Sequence, residues 1–147
     1  MSFYFDTSAL VKRYDPNEQG AAEVIQLLGR SVTLFTSTLT SIEVVSTFRI
    51  KERSGVFTAR EVRLAVAAFD AHASVEYRLV APQPSTYLEA KRLLLSYKLR
   101  AYDALHLATA LTIVRVAGIQ PGQLEFWTAD REQAAAARAE GLAVMLV

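Results

Sequence analysis

Four acidic residues, Asp6, Glu43, Asp103 and Asp130, fall where an alternating strand and helix pattern would bring them to one edge of a sheet. Asp6 directly follows the apolar run Phe3-Tyr4-Phe5, and Asp130 follows Phe126-Trp127-Thr128-Ala129, so each belongs where a strand passes into a helix. Glu43 lies within Leu39-Thr40-Ser41-Ile42-Glu43-Val44-Val45, an apolar-rich helical stretch soon after a second strand. Asp103 precedes Leu107, Ala110 and Val114 at helical spacing and extends a core-facing stripe, where an acid needs a partner. Four carboxylates in one crevice repel unless a cation or protons offset their charge. With no cysteine, the available metal ligands are oxygen atoms and two histidines, which suits a hard ion such as Mg²⁺ or Mn²⁺. Such an ion polarises phosphoryl oxygens and lowers the pKa of bound water, so the chemistry implied is phosphodiester hydrolysis by one ion or by two about 3.5–4 Å apart.

Each acid also has a plainer role. Asp is a favoured N-cap, which covers Asp6 and Asp130, the latter with Gln133 three residues on. Glu43 could cap reciprocally with Thr40, and Asp103 could simply favour the positive end of a helix dipole. Capping explains the acids singly and says nothing about their convergence.

The elements that must position them follow from hydrophobic periodicity. Strands are expected at Phe3 to Phe5, Val32 to Phe35, Glu76 to Val80 (stopped by Pro82 and Pro84), Leu124 to Trp127 and Leu142 to Leu146. Helices are expected at roughly 8–14, 18–28, 39–53, 59–73, 86–96, 101–117 and 131–140. Three of these have capping pairs, Thr58 with Glu61, Thr86 with Glu89 and Asp130 with Gln133. Strands alternating with helices of this length favour right-handed parallel crossovers. The expected fold is therefore a three-layer α/β sandwich on a mostly parallel sheet of four to five strands, with its ligand crevice at the strands' carboxyl ends.

The bulk composition agrees. A chain of 147 residues, 52% hydrophobic and 21% charged, suffices for one folded domain, residues 1–147, and no repeat or low-complexity tract divides it. Asp6, Lys12 and Arg13 interrupt the first residues, so no signal sequence is expected and the cytoplasm is the simplest address. No apolar run approaches the roughly 20 residues a membrane span needs. A net charge of +1 means that any hold on nucleic acid must come from a local patch.

The blocks Phe5-Asp6-Thr7-Ser8-Ala9-Leu10-Val11-Lys12, Ser41-Ile42-Glu43-Val44, Tyr102-Asp103-Ala104-Leu105-His106-Leu107-Ala108 and Trp127-Thr128-Ala129-Asp130-Arg131 appear in this order over nearly the whole chain. In this the sequence resembles the PIN-domain nucleases, especially the VapC-type ribonuclease toxins of toxin–antitoxin pairs. The resemblance implies a PIN-like fold and a metal-dependent endoribonuclease. Asp6, Glu43 and Asp103 would be its core metal-site acids, with Asp130 a fourth of more variable role. Thr7, Ser8 and Thr128 would then hydrogen-bond the carboxylates or a metal-bound water and hold them in register. It further implies an RNA substrate, a cognate antitoxin whose tail lies near the acids, and a homodimer.

Lys12, Arg13 and Arg100 flank the expected site as candidates for RNA phosphates, with Arg49, Lys51, Arg53 and Lys98 nearby, although such residues also populate ordinary solvated faces. Tyr14 and Tyr102 are candidates for base stacking or for core filling. His106, three residues beyond Asp103, reads as a packed or solvated side chain and not a ligand, since Mg²⁺ prefers oxygen, and His72 receives no role. Two other classes compete. A phosphoryl-transfer module of the receiver or haloacid-dehalogenase kind also places Asp after a strand, but the latter wants a second Asp where Ser8 stands. A non-catalytic module would use the acids to hold a basic peptide.

Overall fold

The computed structural model describes residues 1–147. Phe3, Tyr4 and Phe5 alternate across the first strand, as a strand buried on both faces requires: Tyr4 joins one core and Phe5 the other. That strand, β1 (Ser2–Phe5), is followed by a short helix α1 (Thr7–Leu10) and a 3₁₀ turn (Val11–Tyr14). The chain continues through α2 (Ala21–Leu28), β2 (Thr33–Ser37), α3 (Thr40–Arg53), α4 (Ala59–Val75), β3 (Tyr77–Val80), α5 (Pro84–Ser96) and α6 (Ala101–Ala117). A second 3₁₀ turn (Pro121–Gln123) leads to β4 (Leu124–Thr128), α7 (Arg131–Ala139) and β5 (Ala143–Leu146).

The five strands are ordered β3-β2-β1-β4-β5 and every pair is parallel. On one face the second half of the chain packs Leu107, Ala108, Leu93 and Ala137 on Tyr4, Phe126 and Leu124. On the other, α1 to α4 pack Leu10, Val44, Phe48 and Phe69 on Phe5, Leu34 and Trp127. This is the expected three-layer α/β sandwich, with the sheet fully parallel. Strand order reverses between β1 and β4, and there the crevice of an open parallel sheet opens.

Among the boundaries that moved, three have a local reason. The expected helix 8–14 tightens after Leu10 into the 3₁₀ turn. The helix expected from residue 18 starts at Ala21, because Gly20 takes a left-handed φ of +82° as its N-cap. α5 starts at Pro84, ahead of the expected Thr86. Proline fits the first helical turn, and the Thr86 hydroxyl accepts the Gln83 N–H instead of capping a later start.

Candidate metal-binding site

β1 and β4 pair in register with Phe5 opposite Trp127, so the residues that follow them, Asp6 and Thr128, emerge side by side. The Asp6 N–H donates to the Trp127 carbonyl at 3.1 Å, extending the ladder one step into the site. The Asp6 carboxylate is only 3% exposed. Its Oδ1 accepts from the Ser8 hydroxyl at 2.7 Å and the Ala9 N–H at 2.9 Å, and its Oδ2 from the Thr128 hydroxyl at 2.5 Å. Asp6 is therefore both the N-cap of α1 and a site carboxylate. Burial pushes its pKa up, opposed by the charge of His106 and by the Thr128, Ser8 and Ala9 hydrogen bonds.

Glu43, in the first turn of α3, reaches the same crevice from the side. Its Oε1 accepts from Thr7 Oγ1 at 3.0 Å and lies 2.7 Å from Nε2 of His106. Burial raises its pKa, but the His106 bond and charge, with the Thr7 bond, outweigh burial and hold Glu43 below the usual glutamate range. The capping partnership with Thr40 does not form, since the Thr40 hydroxyl faces Thr36 at 2.7 Å. Asp103 opens α6, its Oδ2 3.2 Å from Nε of Arg100, and its backbone carbonyl accepts from the buried Gln133 amide at 3.0 Å. Asp130 caps α7 through Oδ1 to the Gln133 N–H at 2.8 Å, while its Oδ2 lies 3.7 Å from Arg100.

Asp6, Glu43 and Asp103 line one crevice of about 400 Å³ with Thr7, Ser8, Lys51, Arg100 and His106. Asp130 adjoins it through the Arg100 guanidinium that spans Asp103 and Asp130. All the carboxylate donors are oxygen, and Asp6 is a buried acid whose ionised form lacks a cationic partner in direct contact, so the donor chemistry fits a hard divalent ion. The side chains do not gather as tightly as four ligands around one ion: no three acidic or imidazole groups stand close enough to hold it together. Mg²⁺ tolerates such spacing, because it keeps several waters and takes one or two carboxylates directly.

The three hydroxyls singled out in the sequence all meet the acids, Thr7 on Glu43, and Ser8 and Thr128 on Asp6. Two of the three substrate candidates do not face the crevice. Lys12 is 4% exposed and spends its ammonium on Glu18 at 3.0 Å and the Gln19 carbonyl at 2.6 Å. Arg13 points instead toward β3, donating to Glu76 at 2.6 Å and to the Tyr77 hydroxyl at 2.7 Å. The 3₁₀ turn splays these neighbours about 120° apart, so Lys12 is claimed by Glu18 on the crevice wall and Arg13 by Glu76, which lies away from it. Arg100 does line the crevice. Tyr14 fills the core against Phe48 and Phe69, whereas Tyr102 is exposed.

The crevice wall also holds Lys51, which the sequence had placed only among the bases near the site, and Glu18 and His106, to which it gave no role. Lys51, held by Asp15 at 2.8 Å and Glu18 at 2.7 Å, sits eight residues beyond Glu43 and so shares its helix face, a spacing that was available as a signal. Glu18 carried no signal. His106 is packed, as expected, yet against Glu43 and not Asp103.

The sequence profile of the PIN domain matches residues 3–139. No curated protein matches the chain. Among solved structures, VapC20 of Mycobacterium tuberculosis, described as a sarcin-ricin loop cleaving toxin, superposes with a TM-score of 0.65 at 20% identity, covering 92% of this chain and 95% of that one. VapBC2 of Rickettsia felis, bound to a DNA fragment from its promoter, gives 0.63 at 12% identity over 100% and 99%. VapBC-1 of nontypeable Haemophilus influenzae gives 0.61 at 13% identity over 99% and 98%. These likenesses establish a shared fold.

Proposed function

This chain belongs to the PIN domain family, and we propose that it is a Mg²⁺- or Mn²⁺-dependent endoribonuclease, the toxin of a toxin–antitoxin pair. The support is one observation: Asp6, Glu43 and Asp103 share a crevice at the reversal point of the sheet, with Arg100 and Lys51 on its wall and Asp130 adjoining. Asp6, Glu43, Asp103 and Asp130 would hold the metal, which supplies Lewis-acid polarisation of the phosphate and a water of lowered pKa. Thr128 and Ser8 fix the Asp6 carboxylate, and Thr7 with His106 fixes Glu43, so neither acid must reorganise when substrate arrives. Arg100 leaves its two acids and pairs with an RNA phosphate beside the scissile bond. RNA as substrate is favoured by the description of VapC20. A cognate antitoxin partner is favoured by the similar chains whose structures are of VapBC assemblies, and a homodimer and a cytoplasmic setting belong to the same reading.

The test is cleavage of mixed cellular RNA by the purified chain with Mn²⁺ or Mg²⁺, then with chelator, beside Asp103→Asn. Cutting that needs metal and disappears in the variant is the expected result. Intact RNA under all conditions, from folded antitoxin-free protein, refutes the reading. It would favour a second one suggested by the Arg100 contact, in which Asp103 and Asp130 bind an arginine of a basic peptide without catalysis.

A further inference from the structure

His106 is a buried imidazole, 2% exposed, on the sheet-facing side of α6. Both ring nitrogens are engaged. Nδ1 lies 2.9 Å from the Tyr4 hydroxyl, and Nε2 lies 2.7 Å from Glu43 Oε1, with Thr7 Oγ1 at 3.4 Å. A carboxylate offers only acceptors, so Nε2 carries the proton in that contact, and in the neutral ring Nδ1 then accepts from the tyrosine. Tyr4 is fixed in turn. It has no exposed surface, and its ring stacks on Phe126 with centroids 5.3 Å apart and planes 6° from parallel. The chain Tyr4–His106–Glu43 thus runs from the centre of β1, through α6, to the first turn of α3.

We propose that His106 is a positioning residue for Glu43, oriented by Tyr4, which ties Oε1 back into the protein and leaves Oε2 for the crevice. Both side-chain hydrogen bonds to Glu43, from Thr7 and from His106, end on Oε1, the arrangement that holds a carboxylate at one oxygen while the other stays free. Outer groups of this kind orient a metal ligand without touching the metal. As regards the cation, the inference rests on the nuclease reading above. The hold on Glu43 does not.

The experiment titrates the full chain with Mn²⁺ alone by calorimetry, using wild type, His106→Leu, His106→Gln, Tyr4→Phe, Glu43→Gln and the Tyr4→Phe/Glu43→Gln double variant. His106→Leu should weaken Mn²⁺ binding about 10–100-fold, the range for outer-shell losses. His106→Gln, whose amide can still donate toward Oε1, should recover most of that loss. Tyr4→Phe should weaken binding in wild type and not in the Glu43→Gln background, because the two residues communicate only through the imidazole. Leu and Gln behaving alike at position 106, or Tyr4→Phe acting equally in both backgrounds, overturns the proposal. If His106→Leu fails to fold, the Tyr4→Phe cycle decides. ¹⁵N spectra of the imidazole give a metal-free arm. A proton on Nε2 in wild type is expected, and a wild-type ring whose Nε2 lacks the proton overturns the proposal. Wild type that binds no Mn²⁺ but keeps the Nε2–H ring would refute the nuclease reading and leave the hold on Glu43 standing.

Discussion

Replacing Thr128 by valine should cost the protein about 1.5–4 kcal/mol, and the structure says where that figure comes from. The Thr128 hydroxyl has no exposed surface, donates to Asp6 Oδ2 and accepts from the Asp130 N–H at 3.0 Å. Valine keeps the β-branch that suits β4 but leaves both partners unmet. A hydrogen bond to a charged group contributes about 1.5–3 kcal/mol, and leaving the half-buried Asp130 N–H unmet costs about 1–2 kcal/mol, the lower part of the range for an orphaned donor. The gain from burying a methyl in place of a hydroxyl offsets about 1 kcal/mol of the sum. For a domain of this size the loss corresponds to a fall in Tm of about 5–15 °C. Trp127, the only tryptophan, is 4% exposed and stacked on Phe5, so its fluorescence reports urea unfolding directly. Thr128→Ser keeps the hydroxyl and should recover most of the stability. If Thr128→Val unfolds within about 0.5 kcal/mol of wild type, or if serine is no better than valine, the hydroxyl does not couple Asp6 to Asp130 and the argument fails.

Other outcomes follow from the same structure. Arg100→Ala should weaken RNA binding and reduce the slope of log affinity against log salt by about 1, whereas Lys12→Met should leave that slope unchanged; filter binding over a salt series checks both. Phe126→Ala, which empties the layer between Tyr4 and the α6 side of the core, should cost about 3–5 kcal/mol by urea titration. Glu140 accepts from Arg92 and Tyr97, and the Arg92 bonds, then Tyr97, hold its carboxyl below the usual range against the opposing effect of burial. A depressed carboxyl stabilises the fold above its unfolded pKa and loses that contribution as pH falls through the folded one. Glu140→Gln should therefore be less stable than wild type at pH 7, by at most about 1 kcal/mol for so exposed a partner, and the difference should close at lower pH in paired thermal melts.

How much of this was legible beforehand depended on how local each cause was. Asp6 and Asp130 directly follow apolar runs, so a strand's end placed them with no knowledge of the rest of the chain. The hydroxyls of Thr7, Ser8 and Thr128 sit within two residues of those acids, but their part in the site was implied by the family resemblance and not by the local pattern. Lys12 and Arg13 misled because their direction is set by Glu18 and Glu76, and no local pattern says which acid a basic side chain will find. His106 was hidden for another reason. α6 is buried continuously from Ala104 to Ala110, so its hydrophobic pattern has no face, and spacing from Asp103 could not say that the imidazole turns toward Glu43.

The pairing of β1 with β4 carries a consequence for biosynthesis. The Asp6 to Thr128 contact spans 122 positions, the most distant link in the crevice. Closing so long a loop is entropically expensive and late, and contacts of high sequence separation slow folding. While a ribosome is still extending the chain short of β4, Asp6 has no Thr128 beside it and β1 lacks one of its two neighbours. The crevice thus comes into being only as β4 joins the sheet, so a nascent chain that stops short of it carries Asp6, Glu43 and Asp103 without the arrangement that makes them a site.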